Sequence, residues 1–156
     1  GLTTLKGGPN YVGGDFECCS NQLKTLEGSP KYVGGFFNCR YNGLESLKGS
    51  PKKIGGYFCC NDNQLKTLEG GPETVIGNYL FYYNNIINLK GFPEDYEGEI
   101  WFNDNPIFEV LIKIPGEKRN KFIYWCNELN AIDDEGNIND EWMEEVYQKI
   151  GLEYED

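Results

Sequence analysis

The sequence predicts an α/β repeat fold: a solenoid of about five 21-residue units with short parallel strands and an extended convex side, closed by a C-terminal helical cap. Three patterns predict it. Asn21, Asn42, Asn63, Asn84 and Asn105 lie 21 residues apart. Pro9, Pro30, Pro51, Pro72 and Pro93 form a second column at the same period, and Gly14, Gly35, Gly56, Gly77 and Gly98 a third. After Pro106 the apolar spacing becomes helical, dividing the chain into a solenoid over 1–106 and an acidic cap over 107–156.

Within each unit the strand comes first. Phe16/Cys18, Phe37/Cys39, Phe58/Cys60, Tyr79/Phe81 and Ile100/Phe102 alternate with period two, which predicts a short strand with one face inward. The asparagine then ends the strand, and its amide is suited to bonding the backbone of a turn. Leu23, Leu44, Leu65, Ile86 and Ile107 continue the interior row, followed by Leu26, Leu47, Leu68, Leu89 and Val110. Pro and Gly exclude a helix in the remainder of the unit and predict an extended return with tight corners. One unit is too small to bury its own apolar side, so neighbours must stack. Five strands at about 4.8 Å spacing give a sheet on the order of 20 Å wide.

Beyond the repeats, Ile107, Val110, Leu111 and Ile114 predict a short amphipathic helix, broken by Pro115-Gly116. A second helix is predicted over 117–130, with Phe122, Cys126 and Leu129 on one face. The stretch DDEGNIND reads as a loop whose Asn139 or Asp140 caps a third helix. That helix is expected to bury Trp142, Val146 and Ile150, with Met143 and Tyr147 beside them, and to end at Gly151. These helices are expected to cover the open end of the solenoid, as repeat arrays require. No comparable cap precedes the first unit. That end is expected to be frayed, shared with another chain, or preceded by residues before Gly1, and its open edge favours self-association.

Composition narrows the function classes. No run of about eighteen apolar residues exists, so no membrane helix is expected. Residues 1–106 hold 12 acids and 9 bases, and residues 107–156 hold 13 and 5, so most of the net −11 belongs to the C-terminal segment. That balance argues against direct binding to nucleic acid and permits binding to a basic protein surface. No signal-peptide pattern is visible, although the chain begins without methionine. The six cysteines follow the repeat or form vicinal pairs rather than a disulfide framework, which predicts reduced thiols and a cytoplasmic location.

The unit F-x-C-x-x-N-x-L matches the leucine-rich-repeat signature L-x-L-x-x-N-x-L, which makes the expected fold a leucine-rich-repeat solenoid. The chain resembles the short-repeat class of that family. Its L-x-x-L-x-G-x-P-x-x-V is similar to the L-x-x-L-P-x-L-P-x-x-L of bacterial secreted effectors. It resembles still more closely bacteriophage-encoded leucine-rich-repeat proteins, whose units read L-x-x-L-x-G-x-P-x-x-V-G-G-x-F-x-C and whose tail is similar to the segment beginning NPIFEVL. The resemblance implies a recognition scaffold in a host cell cytoplasm and brings no catalytic motif.

The residues themselves point away from catalysis. Histidine is absent, removing the commonest general base and metal ligand. No Gly-rich loop ends in Gly-Lys-Ser/Thr, so no phosphate cradle and no cofactor are expected. Asp133, Glu135, Asn137, Asn139 and Glu144 echo a calcium loop, but Ile138 stands where the sharp turn needs glycine, and no metal is expected. Cys18, Cys39 and Cys60 share a column with Phe81 and Phe102, which predicts core packing. Alternation points Cys19 and Cys59 outward, where they are expected to be reactive or to touch a partner.

The outward strand positions form four columns: Asp15, Phe36, Tyr57, Asn78, Glu99; Glu17, Asn38, Cys59, Leu80, Trp101; Cys19, Arg40, Asn61, Tyr82, Asn103; and Ser20, Tyr41, Asp62, Tyr83, Asp104. Their aromatic content on a face that should meet water makes Phe36, Asn38, Arg40, Tyr41, Tyr57, Leu80, Tyr82, Tyr83 and Trp101 the expected partner contacts. The competing expectation is that the C-terminal segment folds over this face. Asp133, Asp134, Glu135, Glu141, Glu144 and Glu145 add an acidic surface, expected to complement a basic nucleic-acid channel. Three functions are compatible with these features: a non-enzymatic, phage-encoded binder that inhibits a bacterial defence protein handling nucleic acid; a structural or assembly component of a virion; or the recognition part of a larger effector.

Overall fold

The computed structural model of the protein describes residues 1–93 and 95–155. The acids Glu94 and Asp156 lie outside the described residues. The chain winds into a parallel β-solenoid of about four turns, followed by a short helical part. Each coil contributes two strands of two residues: β1 (Tyr11–Val12) and β2 (Phe16–Glu17), β3 (Tyr32–Val33) and β4 (Phe37–Asn38), β5 (Lys53–Ile54) and β6 (Phe58–Cys59), β7 (Thr74–Val75) and β8 (Tyr79–Leu80), β9 (Asp95–Tyr96) and β10 (Ile100–Trp101). The odd strands form one five-stranded sheet and the even strands another. Both keep the 21-residue register, as in Val12↔Val33 and Phe16↔Phe37.

The second sheet corrects the expectation of a single sheet with a merely extended return. The return segment carries Val33, Ile54 and Val75, all fully buried, and β-branched side chains fit a half-buried pleated surface. Its backbone pairs coil to coil: Lys31 N–H donates to the Asn10 carbonyl at 2.8 Å, and Gly34 N–H to that of Val12 at 2.8 Å. The corner joining the sheets is tight where it reads Gly-Gly, although Ile76 and Glu97 hold its first position in the last two coils. A Cβ on Gly34 would lie 2.3 Å from the Gly13 oxygen, and one on Gly55 2.1 Å from that of Gly34.

The asparagine column binds each coil to its neighbour. Asn63 Nδ2 donates to the carbonyl of Cys60 in its own coil at 3.1 Å and to that of Cys39 in the preceding coil at 3.2 Å, while its Oδ1 accepts from Leu44 N–H at 3.0 Å. Asn42, Asn84 and Asn105 repeat the pattern. The sequence anticipates the turn bond; the link to the preceding coil emerges only once the coils stack. Between the sheets and this column lie Leu23, Leu26, Phe37, Leu44, Leu47, Phe58, Leu65 and Leu68, all fully buried.

The helical part comprises α1 (Phe108–Leu111), a 3-10 turn over Gly116–Lys118, α2 (Arg119–Leu129) and α3 (Asp140–Ile150). The first helix is a single turn, shorter than its apolar spacing predicts. Asn139 Oδ1 caps α3 by accepting from Trp142 N–H at 3.2 Å, and Gly151 ends it at φ +71°. The buried stripe is Met143, Val146, Tyr147 and Ile150, while Trp142 is 40% exposed. The i, i+3, i+4, i+7 set begins at Met143, which turns the expected Trp142 out of the core. Among the described residues no helix is long and apolar enough to cross a membrane.

Candidate protein-binding face

The helical part sits against the last coil, away from the outward face of the even-strand sheet. Phe108 packs on Phe102 with ring centroids 5.6 Å apart, and the Arg119 guanidinium lies 5.1 Å over the same ring. Asn127 Nδ2 donates to the Leu89 carbonyl at 3.0 Å, Asp134 pairs with Lys90, and the Tyr96 hydroxyl meets Asn120. Trp101, on the strand nearest these helices, is still 48% exposed. The competing expectation of a face covered by the C-terminal segment is not what these contacts build.

On that face the columns persist in space. Phe36 stacks on Tyr57 with centroids 4.6 Å apart and planes 5° from parallel. Tyr82 and Tyr83 meet edge to face at 5.6 Å. The Arg40 guanidinium lies 5.6 Å over the Tyr41 ring. Burial raises the pKa of the Tyr57 and Tyr82 hydroxyls; the Cys59 thiol adds to both shifts and Arg40 opposes both. The structure thus gathers Arg40, Tyr57 and Tyr82 around Cys59, with Tyr41 under the Arg40 guanidinium, while Trp101 stands toward the C-terminal end with its Nε1–H donating to Glu99 Oε2 at 3.0 Å. Leu80 lies between Cys59 and Trp101 in the strand register and is half-buried.

Two expectations for this face are corrected. Asn38 is only 5% exposed and Cys59 likewise 5%, although alternation points both outward. Each turns its polar atom to its own segment: Asn38 Oδ1 accepts from Arg40 N–H at 3.3 Å, and the Cys59 thiol donates to Asn61 Oδ1 at 2.7 Å. Burial pushes the Cys59 thiol up to about 11, so it is a poor nucleophile.

The fourth column is not strand at all. Ser20, Tyr41, Asp62, Tyr83 and Asp104 have φ between +51° and +56°, so each coil turns there through a left-handed residue. Tyr41 and Tyr83 are 53% and 54% exposed at that corner. Bulky side chains are rare in this conformation. Sequence periodicity carried no signal of it, because Ser and Asp tolerate such a corner readily and Tyr does not.

The predicted acids are spread more thinly. Asp133 is folded into its own loop, Oδ1 accepting from Glu135 N–H at 2.9 Å and Asn137 N–H at 2.8 Å, and these bonds with the Asn137 side chain hold its carboxyl below the usual range. Asp134 is tied to Lys90, and Glu145 pairs with Lys149 at 3.2 Å. Glu135, Glu141 and Glu144 are exposed. Among the described residues no hydrogen bond or ion pair joins the acids of 133–145 to the aromatic face. A groove of about 550 Å³ between the last coil and α2, lined in part by Phe92, Tyr96, Ile123 and Tyr124, was not legible in the sequence, since it needs the placement of α2.

No family model matches the chain, and neither does any curated protein or solved structure.

Proposed function

We propose that the protein is a non-enzymatic binding module that docks on a protein partner through the outward face of the even-strand sheet. The observation that carries this reading is the exposure of Tyr41, Tyr57, Tyr83 and Trp101 on a face that the helical part leaves open. Tyr, Trp and Arg dominate binding hot spots, and a large exposed apolar patch on a soluble surface marks an interaction site. The leucine-rich-repeat and phage resemblance of the repeat unit supports a finer version: a phage-encoded inhibitor of a bacterial defence protein. Its acidic α3 would face a basic nucleic-acid-binding channel of that partner. Affinity capture from bacterial lysate tests both. The parent chain is expected to recover a protein that Trp101→Ala and Tyr57→Ala lose. Recovery unchanged by both substitutions would refute the face. Charge reversal at Glu141 and Glu144 that leaves recovery intact would remove the channel-occupying version.

A second reading, an assembly component, is favoured by the first coil. The strands β1 and β2 are paired on one side only, and Leu2 and Tyr11 beside them are 53% and 65% exposed. Such edges recruit other chains. Analytical sedimentation is expected to show concentration-dependent dimers under this reading, and a clean monomer at high concentration would rule it out.

A further inference from the structure

We propose that the open face is a receptor for arginine side chains, so that the partner docks a positively charged, arginine-bearing segment across Tyr57, Tyr82, Tyr83 and Trp101. The proposal rests on the reading of this face as a protein-binding surface and adds the chemistry it selects.

Charge is the first argument. The four columns carry Asp15, Glu17, Asp62, Glu99 and Asp104 against Arg40 alone. The aromatic patch is therefore set in negative surroundings that attract a cationic segment and repel nucleic acid. Geometry is the second. Carboxylates stand beside the rings: Glu99 accepts from the Trp101 indole N–H, Asp15 accepts from the backbone N–H of Phe36, whose ring stacks on Tyr57, and Tyr83 lies in its column between Asp62 and Asp104. A flat ring next to a carboxylate suits a guanidinium, which stacks through its plane while its edge makes forked hydrogen bonds. Lysine, a compact and strongly hydrated point charge, gains less from the ring.

The molecule already holds an example. Arg40 lies over Tyr41, and among the described residues no carboxylate is within 4.0 Å of it. Of the solenoid lysines, Lys24, Lys48, Lys52 and Lys90 have a carboxylate partner, whereas Lys6, Lys31, Lys53 and Lys66 have none within 4.0 Å among the described residues. Arg40, the one basic residue of the four columns, is seated on a ring. The rows at the left-handed corner alternate: Arg40–Tyr41, Asn61–Asp62, Tyr82–Tyr83, Asn103–Asp104. Rows about 4.8 Å apart place a cation at the level of Asp62 about 5 Å from each tyrosine row, inside the roughly 6 Å reach of a cation–π contact. Tyrosine at φ +52° and +51° is also disfavoured where Ser or Asp serves in the other coils, as at residues held for contact rather than for folding.

Fluorescence anisotropy of the full chain with labelled hexa-arginine, hexa-lysine and hexa-glutamate peptides tests this. Hexa-arginine is expected to bind roughly tenfold more tightly than hexa-lysine, the equivalent of one good cation–π contact, and hexa-glutamate not at all. Trp101→Ala, Tyr83→Gly and Asp62→Asn should each erase much of the arginine preference, while Glu117→Lys in the exposed 3-10 turn should leave it. Equal affinity for the two basic peptides, loss of binding on charge reversal in α3 alone, or no binding of hexa-arginine would each overturn the proposal. Capture of a partner that depends on Trp101, together with no binding of hexa-arginine, would overturn arginine recognition and leave the protein-binding reading standing.

Discussion

Cys39 and Cys59 lie one coil apart, and the Cys39 thiol donates to the Cys59 carbonyl at 3.4 Å. Cys39 faces the core, as its column with Phe81 predicts, whereas Cys59 is an outward residue closed over by its neighbours. Local sequence does not separate the two cases, since packing across rows decides the second. Burial pushes Cys18 up to about 12 and holds Cys39 and Cys60 well above 9.0. The folded state thus keeps protons that the unfolded chain releases above pH 9. Stability from these thiols is complete below that pH and declines as pH rises toward 12. Urea midpoints should fall between about pH 7 and about pH 10, and fall less in Cys60→Ala. At neutral pH native alkylation should label Cys19, the half-exposed thiol, well ahead of the five buried ones. At the left-handed corner, Tyr41→Gly and Tyr83→Gly should each stabilise the fold by about 1 kcal/mol in urea titration while weakening partner capture. A loss of stability on both would contradict strain at these tyrosines.

The repeating element is the coil, and most of it was legible. Asparagine, leucine, proline and glycine recur at one period because every coil meets the same neighbours. What one period could not show is the partner of the return segment. Two-residue strands such as Lys53–Ile54 are too short to alternate visibly, so the odd-strand sheet appears only when coils are stacked in register. The same stacking sets the worth of each column. Asn63→Ala removes donors to Cys39 and Cys60 and the acceptor for Leu44 in a buried setting, and should cost about 3 kcal/mol in urea unfolding. Gly56→Ala would force a Cβ to 2.8 Å from the Phe36 backbone nitrogen and should markedly lower the unfolding midpoint, measured by circular dichroism. Gly14→Ala meets nothing within 4 Å and should be tolerated. If the two glycine variants behaved alike, coil-to-coil contact would not be what selects glycine there. In the helical part, spacing placed α2 and α3 well, yet it missed the rotation that exposes Trp142, because two overlapping apolar stripes compete there and contact with α2 selects one.

At the scale of the molecule, one continuous apolar core runs from Leu5 through the coils into Phe122, Met143 and Ile150. Its two ends differ. The last coil is sealed by helices, and among the described residues the first presents strands paired on one side only, with Tyr11 and Leu2 exposed. Hydrogen exchange of this chain should therefore be slowest at β4, β6 and β8 and fastest at β1 and β2, since strands paired on one side only have fewer contacts to break. Uniform protection along the solenoid would show that something else closes the first coil. The identical 21-residue register has a further consequence for how such a chain can change. Excising residues 43–63 joins Asn42 to Gln64 and reproduces a legal junction, because Gln64 already follows an asparagine of the same column. The shortened chain would keep its ladder, its corners and its helices, but the Tyr82–Tyr83 row would move to lie directly beside Arg40–Tyr41. Whole coils thus act as a dial: their number sets the pitch between binding rows in fixed steps, so length variation can retune the choice of partner while the architecture stays untouched.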